Sequence, residues 1–168
     1  MYQAGHQATH SRVKVVNLRL LDSNMPTIQL SRVNGDFGFV ATDQNGHSIK
    51  MDSSPESGGE NFGVRPMQTV LMGLGGCSAI DVISILKKQR QEVADCKITI
   101  NGERQTCKDP SLWEFVTMEF HLYGDIDPDK ASRAVDLSVN KYCSVASTLE
   151  RAGAAIKTQV FIHPAETK

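Results

Sequence analysis

The sequence predicts an α+β fold with its elements in the order βββαββααβ. Three observations carry that reading. Two Asn-Gly pairs sit between alternating apolar runs, one long apolar stretch follows a proline, and further alternating runs are joined by two short helical patterns. The composition agrees: 40% of the 168 residues are hydrophobic, 22% charged and 6% aromatic, as in soluble globular domains and unlike collagen, coiled coils or disordered chains.

Residues 1–24 read as an N-terminal extension and 25–168 as one domain. Met1–His10 is polar and has no apolar core of the kind a secretory signal needs, so the expected location is the reducing cytoplasm. Lys plus Arg numbers 18 against 19 Asp plus Glu, a net charge of -1. Nucleic acids select cationic surfaces that displace phosphate counterions, and this balance predicts no nucleic-acid partner.

From Thr27 the pattern is β. Thr27–Val33 and Asp36–Asp43 flank Asn34-Gly35, which supplies the positive φ angles of a two-residue type I′ hairpin. Asn45-Gly46 then turns the chain into His47–Asp52, completing a three-stranded meander. The segment 53–63, SSPESGGENFG, reads as a loop long enough to carry function.

Pro66 is suited to open a helix, because its missing amide would have had no intrahelical partner. The helix is expected from about Met67 to about Gln91 and is apolar on nearly every face through Leu86. Such a helix demands cover all round. One small sheet from the same chain cannot provide it, so a second copy is expected as the partner. The stretch is also long enough to span a membrane. Asp81 near its centre opposes that, at roughly 2.5–3.5 kcal/mol for a central acid, and no membrane association is expected.

Cys96, Ile98 and Ile100 alternate with polar residues, as do Val116, Met118, Phe120 and Leu122, giving two half-buried strands. Asp127-Pro128 caps and opens a helix to about Asn140, with Ala131, Ala134, Val135, Ser138 and Val139 on one face. Ser144–Ala152 forms a short helix stopped by Gly153, and Ala154–His163 is the last strand.

Four cysteines are present, none in a C-x-x-C pair, which excludes zinc-ribbon and thioredoxin-type motifs. Cys77 lies mid-helix among Gly73, Gly75 and Gly76. Glycine costs a helix about 1 kcal/mol against alanine, so these positions serve either close backbone packing or access to the thiol. Cys143 precedes the Ser144 helix, where amides and the helix dipole favour a thiolate, and Lys141 adds positive charge. Asp81, one turn beyond Cys77, would oppose ionisation there unless a cation such as Arg65 neutralises it. Cys96 reads as core and Cys107 as exposed. His6, His10, His47, His121 and His163 show no i,i+4 spacing, so no metal site is expected.

The run Gly58-Gly59-Glu60-Asn61, Arg65-Pro66-Met67 and Leu74-Gly75-Gly76-Cys77, followed by Lys141-Tyr142-Cys143, resembles the OsmC/Ohr family over about residues 25–163. The resemblance implies the OsmC-like fold: an intertwined homodimer with packed central helices. It also implies a cysteine-based peroxidase acting on organic hydroperoxides, with Cys77 as peroxidatic and Cys143 as resolving cysteine. No cofactor is then needed beyond an external dithiol reductant. Arg65, Glu60 and Arg32 are its supporting candidates. The family's better-known members carry a glutamate ten residues before the first cysteine, paired with an early arginine, and often a proline after the second cysteine. Here those positions are Met67 and Ser144, which places the chain nearer a divergent branch. The alternative reading is a non-catalytic dimer of the same fold that binds a small apolar ligand or responds to redox state.

Overall fold

The computed structural model describes residues 25–165; the extension assigned to residues 1–24 lies outside them. Among the described residues six strands form two separate sheets of three, the first antiparallel and the second mixed. The first is a meander of β1 (Ile28–Asn34), β2 (Gly38–Asp43) and β3 (Ser48–Met51). The second joins β4 (Glu92–Arg104) and β5 (Trp113–Asp125) as a long hairpin, with β6 (Ala155–His163) parallel to β5. A parallel neighbour requires a crossover. It is built from α2 (Pro128–Leu137), a π turn (Ser138–Tyr142) and α3 (Ser144–Arg151).

The expected order βββαββααβ is the observed one. The first turn differs in length: Asn34 pairs with Gly38, leaving Gly35, Asp36 and Phe37 as a three-residue connection with Gly35 at φ 50°. The Glu60 carboxylate explains its shape. It lies over Gly35, where a Cβ would stand 2.8 Å from Oε1, and it accepts a 2.7 Å hydrogen bond from Asn34 Nδ2. The loop after β3 is also more ordered than its composition suggests. The buried Asp52 carboxylate accepts from the amides of Ser53, Glu60 and Phe62, and the amides of Phe62 and then Glu60 hold its pKa below the ordinary carboxylate value.

The long helix α1 runs Pro66–Lys88, three residues shorter than expected at its C-terminal end. Within this chain it is not buried all round. Leu74, Ser78, Val82 and Leu86 form a single buried stripe at i,i+4 spacing, packed toward β4 and α2. Its opposite face leaves Met72 50% and Ile80 72% exposed. The core lies between α1, α2, α3 and the inner face of the second sheet, where Val116, Met118, Phe120 and Leu122 are at most 1% exposed. Burying one such side chain contributes about 1.5–3 kcal/mol.

Candidate active site

Three backbone devices bring the two cysteines of the resemblance together. Cys77 sits midway along α1. In the π turn, the Cys143 amide donates to Ser138 O at 2.8 Å, five residues back, which swings residue 143 out of the helical path. With ψ at 105°, Cys143 becomes the N-cap of α3, its Sγ accepting from the Ala146 amide at 3.4 Å. The turn is fastened to α1 by Ser138 Oγ, which donates to the carbonyl of Ser78 at 3.2 Å in a fully buried contact. Ser78 is the next residue after Cys77, so this bond ties the turn leading to Cys143 to the stretch of α1 that carries Cys77.

The Cys77 thiol meets the Cys143 thiol and the amides of Val145 and Ser144, the opening residues of α3. Burial, and then the neighbouring Cys143 sulfur, push the Cys77 pKa above the ordinary thiol value; the two amides act in the other direction without overcoming them. Cys143 is 2% exposed and Cys77 half-buried, so an incoming molecule reaches Cys77 first. Two adjacent thiols with unequal access, each facing donors at a helix start, can pass from thiol to sulfenic acid to disulfide. Lys141 Nζ lies 5.4 Å from the centre of the Tyr142 ring.

The supporting candidates lie elsewhere in the chain. Arg65 is the N-cap residue of α1, about 18 Å along the axis from Cys77 at ~1.5 Å per residue. Its guanidinium donates to Gly63 O at 2.9 Å and to Asn61 Oδ1 at 3.3 Å, and its amide donates to Gln68 Oε1 at 2.9 Å. Glu60 is held by Asn34 as described. Arg32 is an exposed residue of β1, opposite Phe39. Within one chain none of the three touches either thiol. Met67 packs against the core, and no acidic residue lies in the first turn of α1.

Of the three glycines before Cys77, Gly75 is a packing position: a Cβ there would lie 2.9 Å from Ile100 Cδ1. Gly73 and Gly76 meet nothing within 4 Å and lie on the exposed side of the helix. Beside them, Gln68, Leu71, Met72, Gly75, Gly76, Ile98 and Ile100 border a mainly apolar groove of about 540 Å³ that reaches Gly76, the residue before Cys77. Cys96 is half-buried on β4 and Cys107 exposed at φ 57°.

Among the described residues no three His, Cys, Asp or Glu side chains converge as a metal set. His121 and His163 do meet, Nδ1 to Nε2 at 3.0 Å, on the outer face of the second sheet. Sequence reading missed that pair because parallel β5–β6 pairing, not helical spacing, creates it. It also missed Ser78 and Ser138 as positioning residues and Asp52 as the organiser of the loop. A serine on each apolar helix face was the available signal for the first two.

A family model described as OsmC-like protein matches residues 57–159. Protein YhfA of Escherichia coli K12 is 45% identical over 115 residues, 68% of this chain and 82% of that protein. The crystal structure of a hypothetical protein from Aquifex aeolicus VF5 superposes with a TM-score of 0.72 at 29% identity, covering 84% of this chain and 98% of the other. The organic hydroperoxide resistance protein OhrB of Bacillus subtilis has a TM-score of 0.58 at 18% identity, over 80% of this chain and 98% of its own, and that likeness is one of fold. The chain belongs to the OsmC-like protein family.

Proposed function

We propose that this protein is a homodimeric, thiol-dependent reductase of organic hydroperoxides acting in the cytoplasm. One observation carries the reading: the Cys77 and Cys143 sulfurs face one another at the start of α3, the open thiol backed by the closed one. The Bacillus subtilis fold relative, an organic hydroperoxide resistance protein, supports the same chemistry.

The Cys77 thiolate attacks the outer peroxide oxygen. The O–O bond breaks, Cys77 becomes a sulfenic acid, and the departing alkoxide takes a proton to leave as alcohol. Cys143 then attacks the sulfenic sulfur, expelling water and closing the disulfide. An external thiol reductant returns both cysteines to thiols, two electrons per cycle. The amides of Ser144 and Val145 stabilise charge on Cys77 sulfur, and Ala146 N–H does so for Cys143. The apolar groove beside Gly76 suits the organic part of the peroxide. The exposed face of α1, with Met72, Ile80 and Ile83, supports the second copy.

With cumene hydroperoxide as probe, Cys77→Ser is expected to abolish peroxide loss, whereas Cys143→Ser consumes one equivalent and leaves a sulfenic acid that dimedone traps. Undiminished turnover in Cys77→Ser, or a block caused by Cys96→Ser or Cys107→Ser, would overturn the assignment. Thiols oxidised without peroxide turnover would favour the redox-responsive alternative.

A further inference from the structure

The outer face of the second sheet carries a group of side chains that the thiol chemistry does not use. In the parallel pairing of β5 with β6, His121 stands opposite Phe161 and Tyr123 opposite His163, on the face away from the buried Phe120 and Leu122. His121 stacks on Phe161 with ring centres 4.9 Å apart, and His163 on Tyr123 at 4.7 Å. The diagonal neighbours His121 and His163 then meet, Nδ1 to Nε2 at 3.0 Å, with their planes 16° apart. The side chains of His121 and Glu119 are 28% and 40% exposed, so solvent reaches the group. It lies apart from the face of α1 and the first sheet, the surfaces given to a second copy.

Two features fit the pair to a metal ion. The first is the tautomer. Glu119 Oε2 lies 3.8 Å from His121 Nε2, so the carboxylate draws the ring proton to that nitrogen and leaves the Nδ1 lone pair facing His163. A carboxylate behind the outer nitrogen of a ligating histidine orients the ring and makes it a better donor. The second is spacing. Metal–imidazole bonds are about 2.0–2.1 Å long, so nitrogens 3.0 Å apart subtend roughly 91–97° at an ion bound to both. Tetrahedral zinc would hold them about 3.3–3.4 Å apart. Near-right angles belong to tetragonal copper(II) and nickel(II), which take nitrogen and oxygen ligands. Because the rings are nearly parallel, one ion can lie close to the plane of both once each side chain swings off the line joining the nitrogens.

We propose that His121 Nδ1 and His163 Nε2 chelate one divalent copper or nickel ion, with water in its remaining positions and Glu119 holding His121 from behind. His163 carries its proton on Nδ1 in that state, so both rings ligate as neutral imidazoles. The Glu119 carboxylate offsets part of the ion's charge. Lys97, across from His121 on β4, is turned aside: its Nζ lies 4.5 Å from the centre of the Tyr123 ring and 3.8 Å from Asp95 Oδ2. With two protein ligands and open positions, the ion exchanges with solvent. Nothing in this site depends on the peroxidase reading.

Nickel is the probe, because copper(II) would oxidise the thiols of the reduced chain. Ni²⁺ is titrated into the full chain while histidine ring resonances are followed, with His6, His10 and His47 as internal references. The His121 and His163 signals are expected to broaden together and before the other three, with a saturable one-to-one calorimetric titration. His121→Gln and His163→Gln, which keep a hydrogen-bonding side chain, should each weaken binding about tenfold or more, and Glu119→Gln about tenfold, as for loss of an outer-layer partner. Binding of equal strength in His163→Gln would overturn the inference. So would broadening confined to the reference histidines or to residues around Cys77 and Cys143, or no response at millimolar Ni²⁺.

Discussion

The two sheets of this protein have opposite relations to water. In the second, β5 places Val116, Met118, Phe120 and Leu122 against three helices, and all four are at most 1% exposed. In the first, Ile28, Leu30 and Val33 of β1 are 57%, 59% and 57% exposed, and Ile49 of β3 is 48% exposed. Both sheets carry apolar residues in strands, yet only one has been given something to pack on. The thiol pair belongs to the covered half. Arg32 and Glu60, the charged candidates, belong to the uncovered half. A chain that leaves one sheet and one face of its central helix apolar and open carries the surface that the proposed second copy would bury.

Truncation breaks this contrast most severely. Phe120→Ala removes a fully buried ring, and a loss of about 3–5 kcal/mol in unfolding free energy is expected, read from urea denaturation. Leu30→Ala should leave intramolecular packing intact and weaken self-association, shown by a protein-concentration-dependent midpoint. Equal losses of concentration-independent stability at both positions would mean that the first sheet packs within its own chain.

Charge placed on the open face of α1 sharpens the same point. Ile80→Asp costs a monomer little, because the side chain is 72% exposed. In a dimer it buries an unpaired carboxylate, so sedimentation should move from dimer to monomer or aggregate, with a loss of several kcal/mol in association. An unchanged dimer would move the interface elsewhere.

The smallest effects concern the thiol's charge. Because burial and Cys143 raise the Cys77 pKa, the neutral thiol dominates at pH 7 and the reactive thiolate grows as pH rises. Iodoacetamide alkylation of Cys77 should therefore still be increasing at about pH 8.5, the ordinary thiol value. Met67→Glu is expected to change that profile by no more than about twofold. Arg65 is already engaged by Gly63 and Asn61, so a new acid at position 67 finds no arginine beside the thiol to orient. A wild-type profile levelling off near pH 5 would show a cation supplied from outside this chain.

Much of this was legible from local patterns because the responsible physics is local. Asp127 capping α2, Gly153 ending α3 and the alternation along β5 each depend on neighbours a few residues away. The cysteine pair was legible only through the family resemblance, since nothing in spacing alone brings Cys77 to Cys143. What stayed hidden depends on pairing between distant segments. The apolar surround of α1 was legible as a demand for cover that one small sheet of the same chain could not meet, but hydrophobicity does not say which molecule meets it. The π turn could not be read from SVNKY, whose composition allows an ordinary helix, and the bond of Ser138 to Ser78 that accompanies it joins segments sixty residues apart. Arg65 looked available for the thiol in sequence, yet the helix length sets it about 18 Å away by the ordinary rise per residue.

The central claim is that Cys77 and Cys143 act as one redox unit, and counting its product tests it most directly. Fully reduced protein is titrated with cumene hydroperoxide, thiols are counted, and disulfides are located by peptide mass spectrometry. The account predicts two thiols lost per chain at one equivalent of peroxide, with a single linkage joining the peptides that contain Cys77 and Cys143, while Cys96 and Cys107 remain reduced. A linkage through Cys96 or Cys107, or a Cys77 carried directly to the sulfinic acid with Cys143 untouched, would contradict it.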